Sequence, residues 1–312
     1  VTPNGEEPST THVGELFEIT SGDRQAVVSE KGACLVQVRV AGTKLLAVPD
    51  EDGYVGHGSY GQLLVPWPGR VLGGRYSFGG QAHQLPIDDL VSASAIHGLV
   101  RWCPWQLAER SASAVVLTHR LLARPGYPFS LALEQSYSWR DATLQMRTTA
   151  TNIGARSAPY GFGQHPYFTV GTPIVDKAVL RLPASHYFAP DDLAALAPKP
   201  VPVDGTPYDF RVGVPVGPTR LDVTYTGLTR DADGNSRLFL ASADGAVRVT
   251  CAYSDAVSFV QLYSGDTLDH AKREGLAIEP YTCLPNSFNN GVGLLQLDPG
   301  SSFTVEWSIS AG

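Results

Sequence analysis

The chain has 312 residues and 43% hydrophobic content, enough for a large core; that length suits two average domains or one large all-β domain. A net charge of −7 with only 17% charged residues excludes the basic field that nucleic acid requires, and no apolar run is long enough for a helical membrane span. The expected partner is therefore a neutral, polar small molecule.

From the start, Val1 to about His12 is polar and has no charged-then-apolar leader pattern. We expect a loosely held tail over 1–14, one domain over 15–312, and a cytoplasmic protein that is a monomer or weak homodimer. Apolar and polar residues then alternate with period two, as half-buried strands require. Leu35, Gln37 and Arg39 face one way and Val36, Val38 and Val40 the other. Val115, Leu117, Leu131, Leu133, Leu144 and Met146 sit in similar runs, and Phe303, Val305, Trp307 and Ile309 repeat the pattern near the C-terminus. Phe78-Gly79-Gly80, Asp233-Gly234-Asn235 and Ala243-Asp244-Gly245 separate strand-like runs as hairpin turns. The segment Asp231–Asn235 has some oxygens of a calcium loop, but its glycine comes one residue early and no acidic twelfth position follows; it reads as a turn. Helical periodicity is short, at best Asp191 to Leu196. Cys34, Cys103, Cys251 and Cys283 are scattered, form no C-x-x-C pair, and read as small buried residues rather than zinc or redox ligands. The expected architecture is an all-β, large antiparallel β-sandwich with few short helices.

Five stretches interrupt this alternation with residues that a β core does not need. In Val65-Pro66-Trp67-Pro68-Gly69-Arg70 two prolines stiffen the approach, so Arg70 is presented at a set angle or is simply an exposed loop arginine. In Ile96-His97-Gly98-Leu99 apolar neighbours imply a part-buried imidazole, either functional or a hydrogen-bonded core histidine. Tyr160-Gly161-Phe162-Gly163-Gln164-His165-Pro166-Tyr167-Phe168 packs an imidazole, two glycines and four aromatic rings into nine residues. The proline after His165 pushes it towards extended geometry. Asp222, before Val223-Thr224-Tyr225, reads on its own as a strand-edge or turn aspartate. Glu279 follows an apolar run and precedes Pro280, which makes it extended and desolvated. Such a glutamate is half of a buried ion pair or a general base.

Taken together, the P-W-P-G-R run at 66–70, I-H-G-L at 96–99, G-Q-H-P-Y-F at 163–168, D-x-x-Y at 222–225 and E-P-Y-T-C-L-P-N at 279–286 resemble the aldose 1-epimerase (galactose mutarotase) family, in the family's order and over roughly residues 15 to 310. The resemblance implies a large β-sandwich that interconverts the α and β anomers of free sugars without cofactor or metal. It implies His165 as catalytic acid and Glu279 as catalytic base, with Arg70, His97 and Asp222 holding sugar oxygens. Trp67, Trp102 or Tyr167 could stack on an apolar sugar face, or pack in the core. One departure stands out: the family commonly has asparagine before the arginine, and here the residue is Gly69.

Three other functions compete. A glycosidase needs two carboxylates flanking the bond, which would have to be Glu279 and Asp222. An epimerase for a phosphorylated or sulfonated sugar needs extra basic groups, for which Arg70, Arg75 and Arg101 are the candidates. A non-catalytic carbohydrate-binding sandwich needs aromatic platforms but no acid–base pair, so His165 and Glu279 together speak against it.

Overall fold

The computed structural model describes residues 14–47, 58–189, 195–268 and 271–312. Period-two patterning becomes antiparallel sheet throughout the two large layers. One layer has nine strands in the order Val214–Pro215, Val179–Arg181, Ser236–Ala241, Arg248–Tyr253, Ser302–Ala311, Thr143–Asn152, Leu131–Arg140, Ala114–Leu121 and Gln106–Arg110. Its inner face carries Leu131, Leu133, Tyr137, Leu144, Met146, Val305, Trp307 and Ile309, all buried, while Ser136, Glu134 and Glu306 point outward, as the alternation requires.

The second layer has six strands in the order Tyr167–Phe168, Leu276–Tyr281, Phe259–Tyr263, Asp222–Leu228, Ala184–Phe188 and Val201–Pro202. Ile278, Leu262, Val260 and Val223 join the side chains of the larger sheet in one contiguous apolar cluster. The Tyr253 hydroxyl donates to the Ile278 carbonyl across the two layers, at 3.3 Å. The fold is an all-β antiparallel sandwich, as the sequence pattern predicts.

Leu16–Ser21, Arg24–Ser29, Cys34–Val40 and Thr43–Lys44 form a separate four-stranded sheet. Here strict alternation fails. The register of Val27 with Gln37 is followed by Val28 with Leu35, so Val36 is the extra residue of a β-bulge. Leu35 and Val38 are both buried as a result, whereas Val36 and Val40 are only half-buried.

Arg75–Phe78 and Gln81–Gln84 meet at Gly79-Gly80, where φ values of +58° and +76° make the two-residue turn that glycine permits. At Asp231–Asn235 the acidic groups of the turn are bound by Arg237, which pairs with both Asp231 and Asp233. Helix among the described residues comprises Ser287–Asn290 and a 3-10 turn at Val175–Lys177. The short helix expected at 191–196 falls mostly outside the described residues, as do residues 1–13 of the expected tail.

Candidate active site

The two strongest motifs converge because their chain segments run side by side. Gly163 bridges Tyr281, Ile278 donates its N–H to the Pro166 carbonyl, and Thr282 donates its N–H to the Phe162 carbonyl while its hydroxyl accepts from the Phe162 N–H. Strand alternation then sets what faces the space above the six-stranded sheet. Glu279 and Tyr281 share a face; Gln261 pairs with Glu279 and with Thr224, and Tyr263 pairs with Ala277 and Asp222. Tyr167 enters the same face opposite Ala277. Glu279, Tyr281, Gln261, Tyr263, Asp222 and Tyr167 therefore floor a cavity of about 240 Å³, walled by Gly69, Arg70, Ile96, His97, Pro285 and Asn286. With apolar groups on one face and this floor on the other, every residue of Leu276–Tyr281 is buried.

His165 Nε2 lies 3.3 Å from Glu279 Oε1, and the two side chains are 6% and 1% exposed. The imidazole stacks on Tyr167 with a 4.9 Å ring separation and meets the His97 ring edge-on at 5.4 Å. Its predecessor Gln164 is pinned in the core. The Gln164 amide donates to the Tyr137 hydroxyl at 2.9 Å and to the Gly61 carbonyl at 3.2 Å, and accepts from Trp307 Nε1 at 3.2 Å. The backbone of His165 pairs with Gly61 and Gln62. Burial pushes the His165 imidazole down to about 3. Burial also raises the Glu279 carboxyl well above its ordinary value, against the pull of a Tyr281 hydrogen bond and of Arg70.

His97 has a positive φ of +59°, and the Gly69 N–H donates to its Nδ1 at 3.1 Å. Because Nδ1 accepts, the neutral ring carries its proton on Nε2. Burial first, then the nearby His165, Arg101 and Arg70, hold His97 well below the usual histidine range. Position 69 therefore acts through its backbone. A Cβ there would lie 2.7 Å from Pro285 Cβ, and φ is +65°, so a side chain at Gly69 requires Pro285 to move. Arg70 Nε is paired with Asp89 at 2.7 Å and the side chain is 44% exposed. Asp222 accepts from Gln261 Nε2 at 2.8 Å, and burial raises its carboxyl despite Arg70 and Arg220.

Thus Arg70, His97, His165, Tyr167, Asp222 and Glu279 line one cavity. Trp67 does not: it is 1% exposed and packs edge-on against Phe288 at 5.3 Å. The Pro66 carbonyl is tied to the Gly161 N–H at 2.7 Å, and the indole goes into the core while the next turn presents Arg70. We expect Trp67→Ala to lower stability in urea unfolding by about 3–5 kcal/mol with substrate KM unchanged. A raised KM at an unchanged unfolding midpoint would return Trp67 to the site. Trp102 is a surface residue beneath the Lys31 ammonium, 4.6 Å from its ring. Gln261, Tyr263, Tyr281 and Asn286 were not singled out by sequence. For Gln261 and Tyr263 the available signal was two polar-tipped residues at period two in the apolar run Phe259–Tyr263. For Tyr281 it was its place two residues after Glu279.

The same sandwich occurs in the GalM/aldose epimerase homologue from C. elegans, with a TM-score of 0.84 at 18% identity over 96% of this chain and 98% of that one. The family model described as Aldose 1-epimerase matches residues 15–310, and the chain belongs to that family. The Escherichia coli (strain K12) uncharacterized protein YihR is 35% identical over 300 residues, covering 95% of this chain and 93% of its own length. Galactose mutarotase of Mus musculus is 23% identical over 91% of this chain and 90% of its own.

Proposed function

We propose that the protein is an aldose 1-epimerase that interconverts the α and β anomers of a free hexose. The observation that carries this reading is the His165–Glu279 contact of 3.3 Å in a cavity whose lining also includes the polar groups of Arg70, His97, Asp222, Gln261 and Asn286. Glu279 Oε1 takes the proton of the C1 hydroxyl while His165 Nε2 gives one to the ring oxygen. The C1–ring-oxygen bond breaks, C1 becomes the aldehyde carbon, and rotation about C1–C2 precedes reclosure with the roles reversed. Each transfer contributes about 10²–10⁴-fold.

The pair holds one proton in its working form. Burial favours the arrangement in which both groups are neutral, with that proton on Glu279. The reacting form has the same net charge, with the proton moved across the short contact to His165. The His97 Nε2–H, the Arg70 guanidinium and the Asp222 carboxylate hold the remaining hydroxyls, so the open chain rotates without escaping.

A neutral substrate is favoured because, of Arg70, Arg75 and Arg101, only Arg70 lines the cavity, and it is already paired with Asp89. Arg101 is held by Asp88 at 2.6 Å, and Arg75 Nε is bound to Gln84 at 3.1 Å. The test is anomer exchange by NMR across free, phosphorylated and sulfonated sugars, with an aryl glycoside alongside. We expect exchange of a free hexose and no aryl release. Exchange confined to the anionic sugars would overturn the free-hexose assignment, and aryl release would turn the site into that of a glycosidase.

A further inference from the structure

We propose that Tyr281 is a positioning residue for the base: its phenol holds one oxygen of Glu279 and leaves the other as the lobe that faces His165 and the sugar. The inference deepens the reading above and rests on Glu279 being the base. The Tyr281 hydroxyl donates to Glu279 Oε2 at 2.6 Å, while Oε1 lies 3.3 Å from His165 Nε2. The two carboxylate oxygens thus have separate tasks.

The ring has little freedom to leave. It is buried with Leu64, Phe188, Phe259 and Leu284. It also lies against Gly163, where a Cβ would come within 2.8 Å of the ring carbons Cδ1 and Cε1. A glycine two residues before the acid therefore makes room for the group that orients the base.

The ionisable and charged groups around the Glu279 carboxylate are His165, Tyr167, Tyr253, Asp222, Arg70 and Tyr281. Asp222 and burial work against the ionised base, and Arg70 supports it from a distance. The Tyr167 and Tyr253 hydroxyls donate instead to the Gly58 and Ile278 carbonyls. Among the described residues, that leaves Tyr281 as the hydroxyl donor to the carboxylate, on the oxygen that does not face His165. Burial, then the Glu279 charge, pushes the Tyr281 phenol well above its ordinary value, so it stays a donor throughout the working pH range. A hydrogen bond to a charged acceptor is stronger than one to a neutral acceptor, so this one favours the ionised base.

The test is Tyr281→Phe in the full chain, which keeps the ring and removes only the donor. Carboxyl carbon NMR, with Glu279 assigned through Glu279→Gln, should show the Glu279 titration midpoint moving up by about one pH unit or more. The anomer-exchange kcat near neutral pH should fall by about tenfold, with KM little changed, because the phenol binds the base rather than the sugar. In the Glu279→Gln background the same substitution should change the residual rate by less than about twofold. An unmoved midpoint, or an equal loss in both backgrounds, overturns the proposal. If the wild-type chain exchanges no anomers, the base reading fails, while the midpoint still reports on the Tyr281 bond.

Discussion

On the proposed mechanism, Glu279→Gln should keep the fold and lower anomer exchange by about 10²–10⁴-fold. The amide has the shape of the carboxyl and its oxygen still accepts from the Tyr281 hydroxyl, which donates at 2.6 Å in the native chain. It cannot take the C1 proton. Stability separates this loss from misfolding. Burial raises the folded-state carboxyl well above its ordinary value, so the stability it contributes is full below that ordinary value and is lost as pH rises through the raised one. Glutamine has no such charge to bury. The variant should therefore be at least as stable as the native chain, with its advantage growing towards alkaline pH in thermal melts. A variant that mutarotates at the native rate in a polarimeter removes Glu279 from the reaction.

The sandwich was legible because its strands state their faces locally: Val305, Trp307 and Ile309 go in and Glu306 goes out, in the chain as in the fold. His165 and Glu279 were legible as candidates for a related reason, each being an ionisable residue followed by proline. Cross-strand register was not legible. Gln261 reaches the floor of the site because it pairs with Glu279, a partner 18 positions away whose alignment is set by the whole sheet. The bulge at Val36 was equally hidden, since one extra residue between two buried positions leaves the composition of the strand unchanged. Trp67 misled because an indole beside a site and an indole beneath it look the same in sequence; its contact with Phe288 depends on the short helix at Ser287–Asn290. That helix starts after Asn286, whose left-handed φ of +60° has no local marker beyond the asparagine itself.

His165→Asn should lower the rate by about 10²–10⁴-fold, because asparagine keeps a donor near the ring oxygen but has no proton to give up. The pH dependence of stability gives a second, independent readout. Burial depresses the folded-state imidazole to about 3, so the stability it contributes is present above the ordinary histidine value of about 6.5. That stability is lost as pH falls through the window down to about 3, where the unfolded chain binds a proton that the folded chain refuses. Asparagine does not titrate. Native and variant chains should therefore converge or cross in urea unfolding as pH drops through this window, the native chain losing several kcal/mol relative to the variant. A parallel fall of both curves would mean that His165 is already protonated in the folded protein, as a permanent ion pair with Glu279. In that case the acid is charged before the sugar arrives, and the proton shift across the 3.3 Å contact is not a step of the reaction. A native exchange rate in the variant would remove His165 as the acid altogether.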